Sequence, residues 1–143
     1  MSATYGRQGV LLHNQGQREE AATAFLSRWM RAVCSGDPAS PLSLYGRRAV
    51  LIPTFGSEVL QGHRAIGAYF VRFLGERPGL CGAIDPTTVV VQSLPGGAVV
   101  VSGLYHFRWP PSNSAAARFS YVLVDPSRTG HWQIANHHSS ALP

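Results

Sequence analysis

The chain contains no lysine, and only 13% of its 143 residues carry a charged side chain. Schiff-base formation and attack by a side-chain amine are therefore excluded. The seven acidic residues lie outside the interiors of the longer predicted strands, so a buried carboxylate acting as a general base is poorly supported. The net charge of +5 comes from twelve scattered arginines, which never exceed the pair Arg47-Arg48. Since aromatic residues do not interleave with them, we expect no nucleic-acid partner.

Long apolar runs are also missing, because no run approaches the ~20 residues that a membrane span requires. The N-terminal residues show no basic segment followed by an apolar one, so we expect a cytoplasmic protein without a membrane partner. The two cysteines, Cys34 and Cys81, are expected to be buried, reduced thiols. The six histidines lack metal-ligand spacing, since His137 and His138 point to opposite faces of a strand. We expect neither a metal nor another cofactor.

Apolar periodicity divides the chain into a flexible N-terminal arm, residues 1–16, and a single domain, residues 17–143. One apolar stripe predicts a helix over residues 17–35, and Asp37-Pro38 predicts a short second helix that reaches Tyr45. Strands are expected over residues 48–54 and 58–61. A third helix follows, and it ends near Gly75. The apolar residues of the first stripe are Ala22, Phe25, Leu26, Trp29, Met30 and Val33, and those of the third helix are Ile66, Tyr69, Phe70, Phe73 and Leu74.

The second half of the chain is rich in β-branched and aromatic residues separated by turn clusters. Strands are predicted over residues 87–92, 98–107, 116–124 and 131–139. Helices followed by a meandering sheet are typical of an α+β fold. We expect the N-terminal helices to pack on a curved, mainly antiparallel sheet, which forms a cone with an internal pocket.

Hydroxyl and imidazole side chains collect at the positions where this architecture would line its pocket. Tyr69 lies on the apolar stripe of the third helix, and a buried phenol needs a hydrogen-bond partner. Thr54 ends the strand before that helix. Alternation along the last strand predicts that His137 and Ser139 share a face with Gln133 and Ala135, opposite Trp132 and Ile134. Further candidates for binding a small anion are Arg118, which lies mid-strand between apolar residues, together with Tyr121 and Ser140.

Two parts of the sequence carry a family resemblance. The segments Trp132-Gln133-Ile134 and His137-His138-Ser139-Ser140-Ala141-Leu142-Pro143 resemble the ending of bacterial proteins with the calcium/calmodulin-dependent protein kinase II association-domain fold. That group belongs to the nuclear-transport-factor-2-like superfamily, also called cystatin-like or SnoaL-like. The resemblance covers nearly the whole chain, and it implies a cystatin-like fold for residues 17–143. A kinase is excluded, because the chain has no glycine-rich nucleotide loop.

Within this group the sequence is most similar to the iota-class carbonic anhydrases, whose hallmark is a His-His-His-Ser-Ser run near the end. The resemblance implies reversible hydration of carbon dioxide to bicarbonate, in some members without a metal. Carried onto this chain, the bicarbonate-binding hydroxyls are those of Thr54, Tyr69 and Ser139, with His137 assisting proton movement. The chain departs from the hallmark at Asn136, which stands in place of the first histidine.

Two other functions remain open at this point. One is a non-catalytic association module, a homodimer or larger oligomer built through the sheet face that bears Trp132, Phe119 and Tyr121; low charge and abundant aromatics favour self-association. The other is a binder or isomerase for an unidentified small molecule, since one fold hosts many functions.

Overall fold

A computed structural model describes residues 2–143, with side chains described from Gly16 onward. The predicted flexible arm, residues 1–16, lies almost entirely outside the residues whose side chains are described, and it stays a prediction. The helices are α1 (Ser2–Cys34), α2 (Ala39–Leu42) and α3 (Gly62–Gly75). The strands are β1 (Tyr45–Ile52), β2 (Leu60–Gln61), β3 (Cys81–Ser93), β4 (Val99–Trp109), β5 (Asn113–Val124) and β6 (Gln133–Ala141).

The strands form one curved sheet in the order β2-β1-β6-β5-β4-β3. All neighbours are antiparallel except β1 and β6, which run parallel. Helix α1 packs on β3 and β4, and α3 packs on β1. The predicted α+β class, with helices on a mainly antiparallel sheet, is confirmed.

The apolar stripes of the two long helices supply half of the core. Every residue predicted for the α1 stripe is buried, and so are the predicted residues of α3 except Tyr69, which is half-buried. The other half comes from alternate residues of the sheet, which face the helices. They are Ala49, Leu51, Val99, Val101, Tyr105, Phe107, Ala117, Phe119, Tyr121, Leu123 and Ile134.

Several element boundaries differ from the sequence-based expectation, and the differences at α2 and β3 have a clear physical reason. The second helix ends at Leu42, and Tyr45 instead begins β1, because it pairs with Ile134 of β6. The expected burial of both thiols was wrong, because Cys81 is exposed and Cys34 is only half-buried. Strand β3 begins at Cys81, earlier than predicted, and contains Pro86. It tolerates that proline because it is an edge strand whose pairing with β4 is irregular between Asp85 and Val90.

A β-bulge in β6 decides which of its side chains face the core. The register with β5 shifts at Ala135, so that Asn136 pairs with Val122 while Ile134 pairs with Leu123. The extra residue shifts the alternation of side chains by one position, so that Ile134, His137 and Ser139 are all buried on the same face. The predicted simple alternation, which placed Ile134 opposite His137 and Ser139, was wrong for this reason.

The sheet face predicted for self-association is not exposed. Phe119 and Tyr121 are 4% and 0% exposed because they belong to the core beneath the helices. Trp132 is half-buried and packs against that core. That part of the oligomer prediction is therefore corrected: an interface has to use another surface. Among the described residues, no helix combines the length and apolarity needed to cross a membrane.

Gly82 of β3 lies where the sheet meets α1 most closely. A Cβ built on it would lie 2.8 Å from Met30 Sδ and 2.7 Å from Phe107 Cδ1, and the Phe107 ring is itself packed among other rings. We expect Gly82→Ala to lower the free energy of unfolding by about 1–3 kcal/mol through overpacking. Urea denaturation measures the change. Gly75→Ala is the matched control, because nothing lies within 4 Å of that Cβ position; equal stability of the two variants would contradict the prediction.

Candidate functional site

A small cavity lies between α3, the end of β1 and the inner face of β6. Because β1 runs parallel to β6 with Ile52 opposite His138, the chain just beyond β1 brings Thr54 beside Ser139. The cavity has a volume of about 30 Å³. By the criterion that one water needs roughly 10–15 Å³, it has room for about two water-sized molecules. We call it the hydroxyl cavity; its lining residues are Trp29, Leu51, Pro53, Thr54, Phe55, Tyr69, Phe70, Phe73, Tyr105, Phe107, His137 and Ser139.

Ser139 is the centre of a hydroxyl cluster in this cavity. Its Oγ forms a short hydrogen bond with Thr54 Oγ1, and the phenol of Tyr105 donates to it at 2.6 Å. Ser139 is only 5% exposed, so these protein groups take the place of bulk water as its partners. The hydrogen bond between Thr54 and Ser139 uses the hydrogen of only one of the two hydroxyl groups. The hydrogen of the other hydroxyl is therefore free to be donated to a ligand.

His137 continues the network on the core side of the cavity. Its Nδ1 lies 2.7 Å from Tyr45 Oη, and its Nε2 lies 3.3 Å from Tyr105 Oη. Trp29 donates its indole N–H to the same Tyr45 oxygen at 3.1 Å. Since the Tyr45 hydroxyl accepts from the indole, its own hydrogen goes to Nδ1, the remaining acceptor. A neutral His137 then carries its hydrogen on Nε2 and donates to Tyr105.

The imidazole of His137 is held in its neutral form. Burial, with a smaller contribution from nearby His138, lowers the pKa of His137 from 6.5 to about 3. A group with that pKa neither takes up nor releases protons near neutral pH. The predicted role of His137 in proton movement does not suit this environment. Its position instead orients the hydroxyls of Tyr45 and Tyr105.

Tyr69 closes the cavity on the α3 side. Desolvation by burial raises the pKa of Tyr69 to about 12, although the charges of Arg77 and Arg72 act in the opposite direction. The phenol is therefore a neutral hydrogen-bond donor at physiological pH. The Tyr69 hydroxyl forms no hydrogen bond with another described residue. Tyr69 is thus a second donor available to a ligand in the hydroxyl cavity.

The structure brings the four predicted catalytic residues together but separates the predicted substrate-binding residues from them. Arg118 and Ser140 pair with each other in the ladder between β5 and β6 and face the opposite side of the sheet. This correction follows from strand alternation, because each neighbours a buried residue. Asn136 is also exposed, so the departure from the hallmark does not reach the cavity.

Tyr121 is placed differently from both groups. It is fully buried and lies behind His137, with 4.2 Å between the ring centroids. Its hydroxyl has no hydrogen-bond partner among the described residues, and it does not line the hydroxyl cavity. Tyr121 therefore supports the imidazole by packing, and its position behind His137 does not favour the predicted contact with substrate.

Several residues of the site escaped the sequence reasoning. Tyr105 had a usable signal, because it alternates with Phe107 along a strand and therefore shares its buried face. Tyr45 had been placed at the end of a helix, which concealed its inward direction. Trp29 was predicted only as a core residue. Arg77 follows α3 with no pattern that distinguishes it from the other arginines. Within residues 16–143, no group of three or more His, Cys, Asp or Glu side chains is arranged to hold a metal ion.

Residues 17–143 match the calcium/calmodulin-dependent protein kinase II association domain family. A Xanthomonas campestris structure described as such an association domain is 32% identical, with a TM-score of 0.75 over 85% of this chain and 86% of that one. The fold alone is shared with two more distant proteins. A nuclear-transport-factor-2-like superfamily protein from Salmonella enterica is 17% identical, with a TM-score of 0.78 over 90% of this chain and 94% of that one. A cystatin-like protein from Caulobacter vibrioides is 14% identical, with a TM-score of 0.73 over 89% and 91%.

No curated protein is significantly similar to this chain in sequence. The match over residues 17–143 and the 32% identity with the Xanthomonas structure nevertheless agree with the fold and the C-terminal motif. The chain belongs to the calcium/calmodulin-dependent protein kinase II association domain family, within the nuclear-transport-factor-2-like fold.

Proposed function

We propose that this protein catalyses the reversible hydration of carbon dioxide to bicarbonate in the hydroxyl cavity. One observation carries the proposal: four hydroxyl-bearing side chains, those of Thr54, Tyr69, Tyr105 and Ser139, line one small cavity. The resemblance of the C-terminal His-His-Ser-Ser segment to iota-class carbonic anhydrases supports the same reaction. The small volume favours a substrate and product of a few atoms.

The chemistry expected of this cavity is hydrogen bonding by fixed neutral groups. Tyr69 and the free hydrogen of the Thr54–Ser139 pair would donate to the oxygens of carbon dioxide, on which negative charge develops as water attacks the carbon. A hydroxyl oxygen of the same pair would accept a hydrogen bond from the attacking water and orient it. As the new C–O bond forms, one C=O π bond of carbon dioxide breaks and its electron pair becomes the negative charge on the hydrogen-bonded oxygen. The water loses one proton to solvent, which leaves bicarbonate.

The neutral lining constrains the mechanism. Burial keeps the pKa of His137 near 3 and that of Tyr69 near 12, so neither side chain changes charge between about pH 5 and pH 9. The attacking water is therefore activated by position and polarisation, without a nearby general base that titrates at neutral pH. We expect no inflection in the hydration rate from either group across that range.

The direct test is stopped-flow hydration of carbon dioxide by purified protein treated with a chelator. We expect a rate above that of the buffer alone, since the proposed steps use hydroxyl groups of this chain. A rate equal to that of the buffer, from protein whose folded state is verified by circular dichroism, would exclude the proposed function in its metal-free form.

Tyr69→Phe removes one of the two proposed donors while leaving the ring in place. We expect the hydration rate to fall by about 10²-fold, the usual effect of losing a donor to developing negative charge. Tyr121→Phe is the matched control, because it makes the same change at a hydroxyl outside the cavity. Stopped-flow assays compare the hydration rates of the two variants. An equal fall in rate for Tyr69→Phe and Tyr121→Phe would count against a role for Tyr69.

Self-association is a second candidate function, favoured by membership of an association-domain family. The interface would not involve Phe119 or Tyr121, which lie in the core. Light scattering of the purified protein measures the assembly state. An oligomer with no hydration activity would favour the association role, while activity that requires no oligomer would favour the enzyme. A binder or isomerase for another small molecule remains the third interpretation of the same cavity.

A further inference from the structure

A second hollow lies directly against the hydroxyl cavity. Phe55, Tyr69 and Phe73 line both spaces, so the two adjoin with these side chains between them. The second hollow has a volume of about 230 Å³ and is therefore several times larger than the inner one. We call it the arginine basin. Its remaining lining residues are Gly56, Arg72, Glu76 and Arg77.

Arg77 is held rigidly at this basin by aromatic rings. Its guanidinium carbon lies 4.3 Å from the ring centroid of Phe55, 4.7 Å from that of Phe73 and 5.2 Å from that of Trp109. Nη1 donates a hydrogen bond to the backbone carbonyl of Phe73 at 3.1 Å. The side chain is only 12% exposed. Cation–π contacts of this kind orient a guanidinium without neutralising its charge.

The positive charge of the basin is only partly balanced. Glu76 Oε2 lies 3.6 Å from Arg77 Nη1, but the Glu76 side chain is 61% exposed and extends into solvent. Arg72 has no ion pair or hydrogen bond through its side chain to any residue between 16 and 143, and neither Nη2 nor Nε of Arg77 has one. Two guanidinium groups therefore face one carboxylate, which leaves the basin with an excess of one positive charge.

We propose that the arginine basin is a binding site for a small monovalent oxyanion, held by Arg77 and Arg72 beside the hydroxyl cavity. Stacking fixes the planar guanidinium of Arg77, whose Nε is buried and whose Nη2 remains without a partner among the described residues. Nη2 can therefore donate a charge-assisted hydrogen bond to an oxygen of a carboxylate or bicarbonate group. Partial burial strengthens the attraction, because the aromatic walls exclude water from one side of the charge.

The identity of the anion rests on the proposed function. If the hydroxyl cavity hydrates carbon dioxide, bicarbonate is the charged species that leaves through the basin, and it enters there in the reverse reaction. Carbon dioxide is neutral and gains nothing from the two arginines. The basin therefore lowers KM for bicarbonate in dehydration, while KM for carbon dioxide in hydration is independent of it.

The test is a titration with sodium bicarbonate, and separately with sodium acetate, at constant ionic strength. The chemical shift of the Trp109 indole N–H reports on the basin, since that ring contacts Arg77, and the Trp132 indole serves as an internal reference. We expect saturable movement of the Trp109 signal with both anions. Arg77→Gln should weaken the binding of both anions at least about tenfold. Arg128→Gln, in the exposed turn at the opposite end of β4 and β5, should not change it.

Loss of the aromatic stacking is a risk for the fold of Arg77→Gln, and Arg72→Gln provides a second variant. Arg72 is exposed, so we expect its replacement to keep the fold and to weaken anion binding several-fold. Unchanged affinity in folded Arg72→Gln and Arg77→Gln, or equal loss in Arg128→Gln, would overturn the proposal. If the protein hydrates carbon dioxide but binds anions equally well without the arginines, the proposed anion site is wrong and the proposed reaction stands. Arginine-dependent binding without hydration activity would refute the proposed reaction and leave the basin.

Discussion

Ser139→Ala is expected to lower the hydration rate by about 10²–10³-fold, the largest effect of any single change in the hydroxyl cavity. Ser139 accepts the hydrogen of Tyr105 and shares a hydrogen with Thr54, so its Oγ holds both neighbouring hydroxyls in place. Without it, Tyr105 loses its acceptor and Thr54 is free to rotate away from the ligand. Stopped-flow hydration at neutral pH measures the change in rate.

The same substitution has an expected cost in stability, because Tyr105 is buried and its O–H would be left without its 2.6 Å acceptor. An orphaned buried donor costs about 1–3 kcal/mol, which urea denaturation can resolve. Ser140→Ala is the matched control, since the adjacent serine lies on the other face of β6. We expect its activity and stability to equal those of the wild type, within about 0.5 kcal/mol. Equal losses in the two variants would show that the chain terminus, and not the cavity, was disturbed.

A strong dependence of stability on pH is the second large expected effect. Burial lowers the pKa of His137 from 6.5 to about 3, so between these values the unfolded chain binds a proton that the folded protein excludes. The contribution of His137 to the free energy of unfolding is fully present above about pH 6.5, and it decreases as the pH falls toward 3. The slope approaches about 1.4 kcal/mol per pH unit, which amounts to about 2 kcal/mol between pH 7 and pH 5.

Urea denaturation of the wild type and of His137→Gln at those two pH values isolates the histidine contribution. We expect the variant to lose most of the difference between pH 7 and pH 5, whatever its absolute stability. His138→Gln controls for the general effect of removing a histidine, because that side chain is exposed. A pH dependence that survives in His137→Gln and disappears in His138→Gln would contradict the assignment.

The departure from the carbonic anhydrase hallmark at Asn136 has a structural interpretation. In the run Asn136-His137-His138-Ser139, only the second and fourth residues face the core, and Asn136 lies on the exposed face with His138. An asparagine in place of the first histidine therefore leaves the hydroxyl cavity unchanged. The residues that the cavity requires from β6 are His137 and Ser139, and this chain has both.

The catalytic candidates could be predicted where a local sequence pattern indicates the direction in which a side chain points. Tyr69 lies on an apolar stripe with a period of 3.6 residues, so the sequence predicts an inward-facing phenol without knowledge of its partners. The prediction for Arg118 failed because burial of one strand face is a property of the whole sheet. Its apolar neighbours Ala117 and Phe119 point inward, and strand alternation therefore turns Arg118 outward.

Residues that depend on long-range pairing were the hardest to predict. Tyr45 belongs to β1 only because β6, some ninety residues later, supplies a partner strand, and its hydroxyl then reaches His137 across the sheet. Among the arginines from residue 16 onward, Arg77 is distinguished by three rings that come from separate parts of the chain. No window of sequence around either residue contains this information.

The sequence by itself determined the α+β class and the apolar faces of α1 and α3, and it indicated a hydroxyl-rich site to which it also assigned Arg118. Those properties follow from residue types and from the periods at which they recur. Tertiary structure alone decided which polar residues meet. A single bulge at Ala135 turned His137 and Ser139 toward the same face as Ile134, and the parallel pairing of β1 with β6 brought Thr54 to Ser139. Because strand pairing sets both results, they depend on residues that are distant along the chain.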